Sequence, residues 1–325
     1  MARSVCTKTP LEKSLILSNK LNCEVYLKCE HLQKTGSFKL RGALHKVLLM
    51  SENERQYGIV AASSGNHGLG VALAAQLGNT HATIYVPETA STMKLNAISS
   101  LGVDVIKVPS SDCLMAEQIA RSEASKNQQT FISPYNDLDV IAGQGTIGLE
   151  LIEQCNELDA VFVAVGGGGL ISGIGHAIKA THPHIEVIGC WPEHSPALYD
   201  ALNAGHIVTN SRDDDTLSDG TAGGVEENTI TLALSQSVID KKVLVSEQEI
   251  MAAIRQIGEY ERWIIEGAAG VAVAGLMKMA DQYKNKKRKR RYLGRYFAHP
   301  MMQNRRAKRD DYKPSAALVT GHYVP

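Results

Sequence analysis

Short apolar runs and amphipathic stretches take turns along most of the chain. Strand-like runs rich in Val, Ile, Leu and Ala fall at 24–29, 58–62, 82–86, 103–108, 130–133, 159–165 and 185–190. Between them, apolar residues recur at helical spacing over 40–50, 67–77, 91–101, 113–126 and 144–155. A run such as Asp159-Ala160-Val161-Phe162-Val163-Ala164-Val165 has almost no polar position, as in a parallel strand covered on both faces. Strands and helices in alternation predict an α/β chain of mainly parallel sheets with helices on both faces. The runs 82–86 and 103–108 stop at Pro87 and Pro109, as strand exits often do. No internal repeat or low-complexity linker precedes residue 284.

Composition narrows the class. The chain has 325 residues, enough for two ordinary lobes and a sizeable core. Equal numbers of basic and acidic side chains, 34 of each, argue against a general nucleic-acid binder. The balance hides an asymmetry: residues 284–325 hold 13 Lys and Arg against 2 acids, and the rest of the chain holds 21 against 32. Six cysteines (Cys6, Cys23, Cys29, Cys113, Cys155 and Cys190) form no C-x-x-C pair and read as reduced, mostly buried thiols. The N-terminus lacks the apolar core of a signal peptide. The longest apolar stretch, Ile264 to Ala280, carries Glu266 and Lys278 and is too short to span a bilayer. A cytoplasmic protein with no membrane partner is expected.

Chemistry enters where strands run into helices. After 159–165 come four glycines, Gly166 to Gly169, then the apolar helical pattern from Leu170. Backbone N–H groups and a helix N-terminus converge on an anion in this arrangement, and without Cβ atoms the backbone can approach a phosphate closely. One or two glycines would read as a flexible turn; four at this junction read as an anion site. The pattern is neither a nucleotide P-loop nor a dinucleotide fingerprint. A second strand–loop–helix unit carries Ser63-Ser64-Gly65-Asn66-His67-Gly68, again suited to an anion, here a substrate carboxylate. Lys39 lies in Lys34-Thr35-Gly36-Ser37-Phe38-Lys39-Leu40-Arg41-Gly42-Ala43. On spacing alone it reads more readily as a solvated lysine than as a catalytic one. A Schiff-base lysine must spend part of its time uncharged, which burial favours. A small molecule that would use both an amine and an anion cradle is pyridoxal 5′-phosphate.

These segments, in this order and spacing, resemble the fold-type II pyridoxal-phosphate enzymes, of the tryptophan synthase β-like fold. Within them the resemblance is to the serine/threonine dehydratase (threonine ammonia-lyase) and serine racemase branch, from about Thr9 to about Tyr283. It rests also on A-G-Q-G-T at 142–146, L-S-D-G-T-A-G-G at 217–224 and E-G-A-A-G at 266–270. The resemblance implies a two-lobed molecule: a large cofactor lobe of 1–40 and 141–283, and a small substrate-carboxylate lobe of 41–140. It implies Lys39 as the residue that carries pyridoxal phosphate, and Gly166, Gly167, Gly168 and Gly169, helped by Leu170, as the phosphate site. Phe38 would lie near the ring, Asn66 would bond its 3-oxygen, and Gly220 and Glu266 would stand close by. Ser63, Ser64, Gly65, Asn66 and His67 would cradle the carboxylate of a small amino acid. The implied activity is β-elimination from L-threonine or L-serine to a 2-oxo acid and ammonia, in a homodimer. Ser64 matches the opposite-face acid/base of racemases. An amino-acid racemase, a hydroxyaspartate-type dehydratase, or an inactive cofactor-binding homologue are the alternatives.

Three features are set aside or stand apart. The paired acids that bind a divalent cation in serine racemases fall at Trp191 and Ala197, so no metal is assigned; His182 and His184 read as an exposed turn and Asp213-Asp214-Asp215 as a solvated loop. Glu150 and Glu153 read as a helix surface without chemistry. In the family the last helix leads to a final apolar strand closed by Ser or Cys, whose side chain bonds the pyridine nitrogen. No such strand is expected before Pro325. Residues 284–325 read instead as a basic tail outside the family pattern, either a terminus unrelated to the family or a nucleic-acid or nuclear-targeting segment.

Overall fold

The computed structural model describes residues 5–110, 113–155, 157–284 and 315–320. Two sheets organise these residues. The first has six strands in the order β1-β2-β10-β7-β8-β9. Its members are β1 (Leu11–Lys13), β2 (Glu24–Cys29), β7 (Ala160–Ala164), β8 (Glu186–Pro192), β9 (Lys241–Val245) and β10 (Ser315–Thr320). The second has four, in the order β5-β4-β3-β6: β3 (Ile59–Ala62), β4 (Ala82–Pro87), β5 (Asp104–Val108) and β6 (Thr130–Phe131). Every pairing is parallel except the edge pair β1–β2. The α/β class read from the sequence is the one observed.

Alternation along each central strand sends side chains to two cores. On β7, Ala160, Phe162 and Ala164 join a core with the helices Leu15–Leu21, Glu247–Glu261 and Gly267–Met279. Val161 and Val163 turn to the opposite core, with Ile147, Leu151, Ile171, Ile174 and Leu198. A fully buried side chain of this size contributes roughly 1.5–3 kcal/mol, so a one-residue slip of β7 would exchange both sets at once. The four-stranded sheet repeats the scheme: Ile59, Ala61, Ile84 and Val86 face one core, and Val60, Tyr85 and Val108 face Ala116, Ala120 and Ala124 of the helix Cys113–Lys126.

Three departures from the sequence reading matter. A final strand does exist. β10 pairs parallel with β2 on one side, Ser315 opposite Glu24 through Thr320 opposite Cys29, and with β7 on the other. It closes on Thr320 followed by Gly321, where the resemblance has Ser or Cys. The rest of the basic stretch, 285–314 and 321–325, lies outside the described residues. The helix expected over 144–155 runs over Leu138–Gln154, because Asp137 caps it by accepting from the N–H groups of Asp139 and Val140. Glu150 on that helix is buried, not on a surface, since Arg41 and Lys28 reach it from the interior; Glu153 is exposed and pairs with Lys8.

Candidate active site

Carboxyl ends of parallel strands from both sheets open on one cleft of about 670 Å³, the position in which open α/β sheets bind ligands. β3 delivers Ser63–Gly65, β7 delivers Val165–Gly168, and the residues after β6 deliver Pro134 and Tyr135. Gly65 caps the helix Asn66–Gly78, and Gly168, at φ +86°, caps the helix Gly169–Lys179. Two helix N-termini thus border the same space, where the first-turn N–H groups of a helix favour an anion.

Lys39 is the first residue of the helix Lys39–Leu49 and lines this cleft. Its Nζ donates to the Pro134 carbonyl at 3.1 Å and lies 5.2 Å from the Phe38 ring centre. Burial pushes its pKa down to about 8, against the opposing pull of the Glu266 carboxylate. A sizeable fraction of the amine is therefore neutral near physiological pH, the state a carbonyl-attacking or proton-accepting lysine needs.

Opposite, the glycine loop has no room for side chains. A Cβ on Gly167 would lie 2.4 Å from the Tyr135 ring, one on Gly166 would lie 3.0 Å from the Thr221 backbone, and one on Gly169 would lie 2.8 Å from the Tyr135 backbone. At Gly168 the positive φ alone selects glycine. Asn66 and Glu266 meet at the cleft, with Asn66 Nδ2 donating to Glu266 Oε2 at 3.0 Å. Ser63 Oγ accepts from the Gly65 N–H at 3.2 Å and shapes the loop that precedes Asn66. An amine of lowered pKa, a side-chain-free cradle at a helix start and a polar pair, all lining one cleft, fit pyridoxal phosphate.

All residues expected from the sequence, including Leu170 and Gly220, line this cleft. His67 differs in detail: its ring is buried, its Nε2 bonds the Ile132 carbonyl at 2.8 Å, and burial followed by the Lys39 charge lowers its pKa to about 3. A neutral ring tied to the residue that follows β6 leaves only its backbone for an anion. Sequence reading missed Tyr135, Thr221, Lys94 and Asp219. Tyr135 packs against the glycines, and its Oη accepts from the Glu226 N–H at 3.1 Å. Lys94 and Asp219 face each other across the cleft at 4.0 Å. The Ser-Pro-Tyr-Asn turn following β6 was the available signal for Tyr135, and the 217–224 motif was the signal for Asp219 and Thr221; nothing local marks Lys94.

Trp191 is fully buried and Ala197 starts a helix, so neither offers a metal an oxygen. Among the described residues, no three His, Cys, Asp or Glu side chains are grouped to hold a metal, and no helix is long and apolar enough to cross a membrane. Five cysteines carry free thiols; the side chain of Cys113 lies outside the described set.

Comparison with known proteins converges on one family. A family profile described as pyridoxal-phosphate dependent enzyme matches residues 3–289. The L-threonine ammonia-lyase of Thermotoga maritima is 42% identical over 279 residues, which is 86% of this chain and 69% of that protein. The processed form of threonine deaminase isoform 2 from Solanum lycopersicum superposes with a TM-score of 0.86 at 34% identity, covering 99% of this chain and 86% of the other. Serine racemase from Dictyostelium discoideum superposes with a TM-score of 0.83 at 32% identity, covering 99% and 94%.

Proposed function

The chain belongs to the pyridoxal-phosphate dependent enzymes, and from that premise we propose that it is a lyase releasing ammonia and a 2-oxo acid from L-threonine or L-serine by β-elimination. The observation that carries this reading is the Lys39 amine, its pKa lowered to about 8, in the same cleft as the Gly166–Gly169 cradle. Relatives named for threonine deamination support the substrate class.

When bound, the cofactor supplies an aldehyde for an amino group and a sink for the electron pair left on the substrate Cα. Gly166–Gly169 and Leu170 would hold its phosphate, and Phe38, Asn66, Gly220 and Glu266, which line the same cleft, would stand near its ring. The N–H groups of Ser64 to His67, with the hydroxyls of Ser63 and Ser64, bind the substrate carboxylate and fix the Cα–H bond toward Lys39. Lys39 Nζ would take the Cα proton as general base. The β-hydroxyl would leave as water after taking up one proton, balanced by the one Lys39 removed from Cα, and hydrolysis of the eliminated product would give pyruvate from serine or 2-oxobutanoate from threonine, with ammonia. The six-stranded sheet, with β10 added to it, would form the lobe of 1–40 and 141–283, and the four-stranded sheet the lobe of 41–140, in a cytoplasmic homodimer.

Racemisation is the second reading, favoured by Ser64 at the cleft and by the serine racemase likeness. An inactive homologue is the third reading, and the place of β10 within the six-stranded sheet weighs against it. The deciding assay follows ammonia and 2-oxo acid release from L-threonine and L-serine, with chiral analysis of the remaining amino acid. Stoichiometric ammonia and 2-oxo acid are expected. D-amino acid without ammonia would replace the lyase reading by the racemase one, and neither product would end both.

A further inference from the structure

Two residues beyond Lys39, the chain buries a set of charges that the proposed chemistry does not use. Arg41, 2% exposed, grips two carboxylates. Its Nε and Nη2 donate to the Glu30 oxygens, both at 2.8 Å, and Nη1 and Nη2 donate to the Glu150 oxygens at 2.6 and 3.0 Å. Nη1 also reaches Thr146 Oγ1 at 3.1 Å. Lys28, fully buried, donates to Glu150 at 2.5 Å and to the Thr9 carbonyl at 2.8 Å. The cluster ties β2, the 3₁₀ turn Glu30–Leu32, the helix that begins with Lys39, and the helix Leu138–Gln154.

Stability is a poor reason for such a cluster, because well-packed apolar side chains commonly serve as well as buried ion pairs. Geometry is a better one. A guanidinium held as a fork by two carboxylates has one orientation, which an ammonium cannot reproduce. The backbones around it are equally fixed: a Cβ on Gly143 would lie 2.5 Å from the Arg41 carbonyl oxygen, and one on Gly42 2.4 Å from Gln144 Nε2. The first turn of the Lys39 helix is thereby locked against its neighbour on the side away from the cleft.

We infer that Arg41, clamped between Glu30 and Glu150, is a positioning residue that aims Lys39 into the cleft. The inference rests on the role proposed for Lys39 and goes beyond it. Misplacing a reacting group by even one ångström can cost on the order of 100-fold in rate. The test uses Arg41→Lys and Glu150→Gln as cofactor-loaded proteins, with the exposed Glu153→Gln as control. Three quantities are read: kcat and KM for L-threonine, the fraction of cofactor fixed on Lys39 by borohydride and located by peptide mass, and Tm. Both variants are expected to lose about tenfold or more in kcat with KM changed less than about twofold, and to fix less cofactor on Lys39. Glu150→Gln, which leaves the Glu30 pair in place, decides the matter if Arg41→Lys does not fold. A variant whose Tm falls while kcat and Lys39 fixation stay within about twofold of the unaltered chain overturns the inference. Failure of the lyase reading looks different: the unaltered chain then releases no ammonia, and borohydride fixation still reports where Lys39 points.

Discussion

Asn66 and Glu266 lie 200 residues apart in sequence and 3.0 Å apart in space, the amide of one donating to the carboxylate of the other. Asn66 is the first residue of a helix that follows the four-stranded sheet, and Glu266 is the cap residue of a helix packed on the six-stranded sheet. The carboxylate also acts on Lys39, whose ammonium form it favours against the effect of burial. It therefore reduces the share of neutral amine that burial alone would give.

Reaction of Lys39 with pyridoxal phosphate should rise as pH passes through about 8 and level off above it, because only the neutral amine attacks. In Glu266→Gln the midpoint should move down, since the opposing charge is gone. Rapid-mixing absorbance at a series of pH values gives both midpoints, and an unchanged midpoint in the variant removes Glu266 from this role.

Lys39→Ala should abolish covalent fixation of the cofactor and ammonia release while leaving Tm close to that of the unaltered chain without cofactor. Borohydride trapping and an ammonia assay measure the two losses. Turnover retained in this variant would dismiss Lys39 as the base.

Gly167→Ala places a methyl group where the Tyr135 ring stands 2.4 Å away. Cofactor affinity should fall about tenfold or more, the equivalent of about 1.4 kcal/mol. Adding Tyr135→Ala should restore part of it by vacating the space. Equilibrium titration with pyridoxal phosphate reads both; equal affinity in all three proteins would mean that the loop does not hold the phosphate.

Glu150 supplies a dependence on acid. Burial opposes its charge, but Arg41 and Lys28 overcome this and hold its carboxyl below the ordinary value of 4.5. A carboxyl lowered on folding adds stability that is complete above its unfolded pKa and is lost as pH falls through its folded one. Glu150→Gln should thus cost about 1.5–3 kcal/mol near neutrality, and the gap between the two proteins should close as pH drops below 4.5. Thermal denaturation across that range measures it, and a gap independent of pH would show that Glu150 is not ionised in the fold.

Legibility followed locality. The glycine run and the Ser63–Gly68 loop were readable because strand, turn and helix adjoin within a dozen residues, and Lys39 gained its meaning from standing with them in order. Glu150 was misread because its partners, Lys28 and Arg41, are more than 100 residues away, and an acid three positions from Glu153 looks like an ordinary polar face. The start of the helix at Leu138 hung on a single Asp137 cap within a turn-rich stretch. Ser315–Thr320 escaped because six small or apolar residues after a long charged run carry little periodic signal; partners on both sides, not propensity, make it a strand.

β10 is the last described segment to be synthesised and one of the most central in its sheet, wedged between β2 and β7. On a ribosome, the two strands that flank it emerge long before it does, with facing edges open and nothing to zip them. The larger sheet can close only after residue 320 has been released, so its completion is a late, non-local event, slow by the rule that distant contacts delay folding. A chaperone that shields bare strand edges would have its longest appointment with this protein in that interval.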